Sequence, residues 1–214
     1  MEKADKTTVI IYCAGMGTRL GIGTTKALVD VSGKPLIIRQ LEQLAEYDDI
    51  RIVVGFDAER VIQTVKEYRQ DIMFVFNYDY EHTGTADSLR RALLGANDLI
   101  IALDGDIVLN AHDFQKFLKY DGECLGVSEN ATCEPIIADI ENGKVVKLKK
   151  GIGDVQWSGV TKIKKNRLDG QDKHVYDMLN TQLPLDYVGV RLKEINTQED
   201  YDKAIMWYEN GCCG

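Results

Sequence analysis

The sequence predicts an α/β fold: a Rossmann-like, mostly parallel sheet with helices on both faces. The first observation is that short apolar runs recur in the first half without alternating polar residues, which is typical of strands buried on both faces. The second is that segments with apolar residues at helical spacing separate these runs. Regular alternation of strand and helix indicates parallel strands joined by helical crossovers.

The elements of the first half follow in order. Strands are predicted over residues 9–13, 50–54, 72–76 and 99–103, because each is a short apolar run. Helices are predicted over residues 36–47, 58–68 and 85–95, where apolar residues recur at helical spacing. The first helix opens after Gly33-Lys34-Pro35, and Thr85 and Asp87 are candidate caps of the third.

The second half is predicted to contain mostly short strands. They cover residues 125–128, 134–140, 144–149 and 157–163, with a turn at Glu141-Asn142-Gly143. We interpret them as a small antiparallel extension packed beside the sheet. A strand over 187–192 and a closing helix over 200–208 follow. A chain of 214 residues fits one domain, so residues 1–214 are expected to form a single unit.

Composition and charge exclude several function classes. The formal net charge of −8 argues against general nucleic-acid binding, which needs a basic surface. No apolar run approaches the roughly 20 residues of a membrane span, and the start MEKADKTT does not resemble a signal peptide. The five cysteines lack zinc-ligand spacing. We therefore expect a reduced, cytoplasmic protein, monomeric or homodimeric.

The glycine-containing segment after the first strand is the strongest functional signal. Gly15 and Gly17 allow a close backbone approach to a ligand, and Arg19 and Lys26 add charges suited to phosphate oxygens. The segment matches neither the P-loop nor the dinucleotide pattern, because position 20 is Leu20. It predicts a phosphate-binding loop of another class.

A pair of carboxylates ends the fourth predicted strand. Asp104 and Asp106 are two residues apart, so both side chains point the same way, and Mg²⁺ at a phosphate site uses such oxygen ligands. The glycine loop and residues 83–88 also follow strands, and ligands bind beyond the carboxyl ends of parallel strands. The combination indicates phosphoryl or nucleotidyl transfer, in which positioning and charge neutralisation dominate.

Six segments of the chain match a known family pattern: Ala14-Gly15-Met16-Gly17-Thr18-Arg19-Leu20, Thr25-Lys26-Ala27-Leu28, Gly33-Lys34-Pro35-Leu36-Ile37, Gly84-Thr85-Ala86 with Ser88-Leu89, Leu103-Asp104-Gly105-Asp106 and Glu194-Ile195-Asn196-Thr197-Gln198-Glu199-Asp200. With these segments the chain resembles the sugar-1-phosphate nucleotidyltransferase superfamily, and in particular its small phosphocholine cytidylyltransferase-like members. The resemblance is firm over about residues 7–110 and looser over 155–208.

The resemblance implies the nucleotide-diphospho-sugar transferase fold, with residues 7–120 as the nucleotide-binding half and 121–214 as the acceptor-binding half. It implies that a phosphorylated small molecule attacks the α-phosphate of a nucleoside triphosphate. Lys26, Arg19 and Asp106 would be catalytic, and Asp106 with Asn196 would hold Mg²⁺. The nucleotide would contact Ala14, Gly15, Gly17, Thr18, Arg19, Gly84, Thr85, Ala86 and Ser88.

Two positions depart from the family pattern. Asn196 stands where the family usually has aspartate, which would weaken metal binding unless Glu194 or Asp200 compensates. Thr25 stands where many members have proline before the lysine, which would loosen the loop.

The acceptor is marked less clearly than the nucleotide. Trp157, Tyr187 and Asp186 are candidates for an aromatic, acidic cage around a quaternary ammonium. CTP with a phosphocholine-like phospho-alcohol is the first choice. UTP or dTTP with a sugar 1-phosphate is the alternative, and Asn196 also leaves open a catalytically weak, regulatory relative.

Overall fold

The computed structural model describes residues 6–21, 23–129, 132 and 134–212. The strands are β1 Thr7–Cys13, β2 Asp49–Val54, β3 Met73–Phe76, β4 Leu99–Asp104, β5 Ile107–Leu109, β6 Cys124–Glu129, β7 Ile136–Glu141, β8 Lys144–Lys150, β9 Val155–Lys164, β10 Asp186–Gly189 and β11 Leu192–Glu194. The α-helices are α1 Leu36–Gln43, α2 Ala58–Tyr68, α3 Thr85–Ala92, α4 Ala111–Lys119, α5 Val175–Asn180 and α6 Gln198–Trp207.

The main sheet has the strand order β10-β6-β9-β4-β1-β2-β3. Strands β4, β1, β2 and β3 are mutually parallel, and β10 is parallel to β6, whereas β9 runs antiparallel to both of its neighbours. Helices α1, α2 and α4 contribute to the apolar cluster on one face, and α3 and α5 to that on the other. The predicted α/β fold, with a mostly parallel sheet covered on both faces, is confirmed.

The antiparallel extension is smaller than the sequence suggests. Of its four predicted strands, β6 and β9 lie inside the main sheet, and β7 with β8 forms a hairpin attached to β9. Strand β9 pairs with β4 along five residues, including Leu103 with Val160. The side chains of Leu103 and Val160 are both fully buried, so packing in the core stabilises this pairing.

The predicted strand over residues 187–192 is two strands that belong to different sheets. Strand β10 pairs with β6, while β11 pairs antiparallel with β5 in a small two-stranded sheet. Between them, the carbonyl of Arg191 accepts a hydrogen bond from the amide of Asn110 at 2.9 Å. A tertiary contact therefore divides a segment that looks continuous in the sequence.

The small β5–β11 sheet brings the last part of the chain to the end of β4. Ile107 pairs with Glu194, and the amide of Ile195 donates to the carbonyl of Asp106 at 2.9 Å. Residues 194–196 consequently lie beside the turn that follows β4.

Within the described part of the chain, none of the helices combines the length and the hydropathy needed to cross a bilayer.

Candidate active site

A cavity of about 490 Å³ opens at the carboxyl ends of β1 and β4. The glycine loop, the segment before α3 and the turn from Asp104 to Asp106 all line it. This is the edge of the sheet at which the strand order predicts ligand binding.

The glycine loop is shaped so that Lys26 can enter the cavity. Gly17 has a φ of +61°, and a Cβ atom there would lie 3.1 Å from the Cγ atom of Lys26. Thr25, immediately before Lys26, donates its hydroxyl to the carbonyl of Cys13 at the end of β1. The loop therefore returns to the end of β1, and Lys26 points toward the turn that follows the neighbouring strand β4.

Lys26 contacts the two predicted metal-binding residues. Its Nζ atom lies 2.8 Å from Asp106 Oδ2 and 2.5 Å from Asn196 Oδ1. Arg19 donates to the same Asn196 oxygen at 3.2 Å. The side chains at positions 19, 26, 106 and 196 thus meet at one point.

The carboxyl groups around Lys26 repel one another. Burial raises the pKa of Asp104 well above its ordinary value, and the negative charges of Asp106 and Glu194 raise it further, while Lys26 lowers it. Burial and the charge of Asp106 raise the pKa of Glu194 to about 7, against a hydrogen bond with Asn196 and the charges of Lys26 and Arg19. Additional positive charge in the cavity would relieve this repulsion.

The oxygen donors of Asp106, Asn196 and Glu194 fit Mg²⁺. Among the described residues, no three acidic, histidine or cysteine side chains are grouped closely enough to hold a metal by themselves. Mg²⁺ usually takes one or two carboxylates and completes its coordination with waters and substrate phosphates, so such an incomplete protein set suits it.

Glu194 and Asp200 differ in their availability as the compensating carboxylate. Asp200 is engaged at the start of α6, where it accepts from the amide and hydroxyl of Thr197 at 2.9 and 2.8 Å. Glu194 lines the cavity. The geometry therefore favours Glu194.

Gln40, which the sequence analysis did not single out, supports the turn that carries the aspartates. This side chain of α1 is buried, and its amide nitrogen donates to the carbonyls of Asp104 at 2.9 Å and Ile107 at 3.0 Å. An unremarkable glutamine in an amphipathic helix gives no sequence signal for this role.

Most of the predicted nucleotide-binding residues line the cavity: Ala14, Gly15, Gly17, Arg19, Gly84, Thr85 and Ser88. Thr18 and Ala86 are not among the lining residues. Thr18 is exposed, whereas Ala86 is fully buried and donates its amide to the carbonyl of Lys173 at 3.2 Å. Asn77, not singled out beforehand, lines the cavity and donates to the hydroxyls of Thr83 at 2.9 Å and Ser88 at 3.2 Å.

The structure separates the three predicted acceptor residues. Trp157 lines the cavity and donates its indole nitrogen to the carbonyl of Val160 at 3.0 Å. Asp186 and Tyr187 lie elsewhere, because Asp186 pairs in register with Cys124 at the amino end of β6. Asp186 instead accepts from Tyr120 at 3.0 Å and Lys144 at 2.7 Å, and Tyr187 lines a second groove.

The second half contributes a cavity wall that the sequence pattern did not reveal. It consists of Ile136, Lys150, His174 and Tyr176 together with Trp157. The rings of His174 and Tyr176 stack with centroids 5.5 Å apart, and burial followed by the charge of Lys150 lowers the pKa of His174. These residues come from β7, β8, β9 and the start of α5, and no spacing in the sequence links them.

Comparison with known proteins identifies a family and a set of relatives. The model of the MobA-like NTP transferase domain matches residues 9–141. The bifunctional protein GlmU of Aliarcobacter butzleri is 31% identical over 114 residues, which covers 52% of this chain and 26% of that protein. The chain thus spans about a quarter of the length of this relative.

Two solved structures resemble nearly the whole chain. The CTP:phosphocholine cytidylyltransferase of Streptococcus pneumoniae gives a TM-score of 0.79 at 24% identity, covering 95% of this chain and 99% of that one. The inositol-1-phosphate CTP transferase of T. maritima gives a TM-score of 0.77 at 17% identity, covering 97% and 98%. At these identities the likeness establishes the fold.

Proposed function

Because the chain belongs to the family of MobA-like NTP transferase domains and is a nucleotidyltransferase, we propose that it transfers a nucleoside monophosphate from CTP to a small phosphorylated acceptor such as phosphocholine, with Mg²⁺, and releases pyrophosphate. The observation that carries the proposal is the meeting of Lys26, Asp106 and Asn196 at the mouth of the glycine loop.

The residues of the cavity have different roles in the proposed reaction. The backbone of the glycine loop and the side chain of Arg19 bind the triphosphate. Lys26 stabilises the charge that develops on the α-phosphate as the acceptor oxygen attacks it and the bond to the leaving pyrophosphate breaks. The acceptor phosphate is already an anion, so no strong general base is needed.

Asp106 and Asn196, assisted by Glu194, would hold the metal. When bound, Mg²⁺ neutralises phosphate charge and supports in-line displacement. Gln40 keeps the Asp106 turn in place through its two backbone contacts.

The preference for CTP and a phospho-alcohol rests on the fold of the phosphocholine cytidylyltransferase, which resembles 95% of this chain. Similar folds also occur in a glucose-1-phosphate thymidylyltransferase and a UDP-glucose pyrophosphorylase, so a sugar 1-phosphate with dTTP or UTP is the competing pair.

Pyrophosphate release from each nucleoside triphosphate, measured across an acceptor panel with and without Mg²⁺, tests the proposal. We expect release with CTP and phosphocholine only when Mg²⁺ is present. Faster release with UTP or dTTP and glucose 1-phosphate would replace the proposed pair. Nucleotide binding without release in any combination would support a regulatory role and contradict the proposed activity.

A further inference from the structure

A carboxylate without a partner faces the cavity at the side of the second half. Asp104 is the last residue of β4 and lines the cavity. In the part of the chain that the structure describes, its side chain forms no ion pair or hydrogen bond, whereas Asp106 is engaged by Lys26 at 2.8 Å. Asp104 therefore remains available to a ligand.

The neighbouring strand leaves room for this carboxylate. Leu103 pairs with Val160, so Gly159 of β9 stands opposite Asp104. Gly159 has a φ of +73°, and a Cβ atom at this position would lie 2.4 Å from Asp104 Oδ2. Any other residue at position 159 would push the carboxylate away.

Two aromatic residues lie on the same face of the sheet as the carboxylate. Tyr12 is the register partner of Asp104 on β1, and Tyr12 and Trp157 both belong to the apolar cluster on that face and both line the cavity. The Tyr12 hydroxyl is buried and has no hydrogen-bond partner among the described residues, so Tyr12 presents its ring rather than its hydroxyl to the cavity.

A carboxylate beside aromatic side chains suits an organic cation. A substituted ammonium gains from aromatic ring faces and from negative charge, and it does not need the set of oxygen ligands that Mg²⁺ requires. The cations of the cavity contact other groups: Lys26 contacts Asp106 and Asn196, and Lys150 lies near His174. Lys26 only partly offsets the burial and the charges of Asp106 and Glu194 that raise the pKa of Asp104, so a cation bound beside Asp104 would favour its charged form.

We propose that Asp104, seated against Gly159 and flanked by Tyr12 and Trp157, is the residue that selects an acceptor with an ammonium group. This inference rests on the proposed nucleotidyl transfer. Asp104 and Asp106 are two residues apart, so their Cα atoms are at most about 7 Å apart. The ammonium must therefore lie close to the reacting phosphate, as it does in a phosphorylated two-carbon amino alcohol.

The test compares phosphocholine with its neutral carbon analogue, 3,3-dimethylbutyl phosphate, which has the same shape without the charge. Calorimetric binding to the wild-type protein, with no turnover required, should favour phosphocholine by about tenfold or more. In Asp104→Asn the ratio of the two affinities should fall to near one. Gly159→Ala keeps Asp104 but displaces its carboxylate, and should lower the same ratio if thermal unfolding shows that it folds.

Asp139→Asn is the matched control, because Asp139 pairs with Lys149 on the hairpin and does not line the cavity. Equal wild-type binding of the two phosphates would overturn the inference. So would a loss of discrimination in Asp186→Asn with none in Asp104→Asn, or an equal weakening of both phosphates in Asp104→Asn together with a raised Mg²⁺ requirement. Discrimination in binding without pyrophosphate release would support the role of Asp104 and contradict the proposed activity.

Discussion

The two ends of the cavity are built differently. At the phosphate end, which comprises Arg19, Lys26, Asp106 and Asn196, the charged and polar side chains contact one another directly. At the proposed acceptor end, which comprises Tyr12, Asp104 and Trp157, the Asp104 carboxylate has no hydrogen-bond or ion-pair partner among the described residues. The phosphate end is thus organised before a ligand arrives, whereas at the acceptor end a carboxylate is left for a ligand to pair with.

This difference indicates that the phosphate end determines the rate of the reaction and that the acceptor end determines which acceptor is used. Groups that are already positioned relative to one another stabilise a transition state without reorganisation. Groups that are left unsatisfied penalise ligands that cannot pair with them, which is a source of specificity. Changes at the phosphate end should therefore affect turnover with every acceptor, and changes at the acceptor end should affect the ratio between acceptors.

The largest effect is expected from Asp106→Ala. This variant removes the carboxylate that pairs with Lys26 and that we propose as a Mg²⁺ ligand, so Mg²⁺-dependent pyrophosphate release should fall to background with every acceptor. Asp139→Ala on the hairpin serves as control. If the Asp106 variant responds to added Mg²⁺ as the wild-type protein does, Asp106 does not bind the metal.

Lys26→Ala should lower kcat by about two to three orders of magnitude, because a preorganised charge at the reacting phosphate is lost. Nucleotide affinity should change much less, since Arg19 and the loop backbone remain. Steady-state kinetics and direct CTP binding measure the two effects, with Lys203→Ala on α6 as control. Unchanged turnover would contradict the role of Lys26.

Gln40→Leu tests whether the backbone of the phosphate end is fixed independently of ligand. The change leaves the carbonyls of Asp104 and Ile107 without their shared donor, so we expect the free energy of unfolding to fall by about 1–3 kcal/mol. Urea unfolding without ligands measures it. The exposed Gln63→Leu is the control, and equal stability of the two variants would refute the positioning role of Gln40.

Asn196→Asp tests whether the phosphate end binds Mg²⁺ through position 196. A carboxylate at this position adds charge that Mg²⁺ can use, so the Mg²⁺ concentration at half-maximal rate should fall by a few fold. Without metal, the new charge would repel Glu194, which now forms a hydrogen bond with Asn196. A Mg²⁺ titration that shows no shift would indicate that another group binds the metal at this point.

The smallest effect is expected from Glu134→Gln. Glu134 pairs with Arg19 at 2.8 Å, and both side chains are more than half exposed. Such a pair is worth at most about 1 kcal/mol, so releasing Arg19 should lower the KM for CTP by no more than about fivefold. The gain should shrink at high salt. The control is Glu199→Gln, which breaks the exposed Glu199–Lys203 pair on α6 and should leave the KM for CTP unchanged. A raised KM in Glu134→Gln would show that Glu134 does not compete with the nucleotide for Arg19.

The phosphate end could be predicted from the sequence because its residues lie in contiguous motifs at strand ends. The sequence also singles out Asp104 and Trp157, but not that they lie together beside Gly159, since these residues meet only through the pairing of β9 with β4. The sequence pattern does not indicate that pairing, because the strands after residue 120 resemble an antiparallel extension beside the sheet. Helix α4 was also not predicted, although Asn110 caps it and Phe114 and Phe117 lie on its buried face.

The small β5–β11 sheet has a consequence for how the protein is made. The glycine loop and Asp106 emerge early in synthesis, but Asn196 can reach them only after β11 has paired with β5. A nascent chain that has reached residue 180 therefore carries the glycine loop without the group that joins Lys26 and Arg19. The proposed site would be complete only after residue 196 has left the ribosomal exit tunnel and β11 has paired with β5, so it is one of the last parts of the fold to form during synthesis.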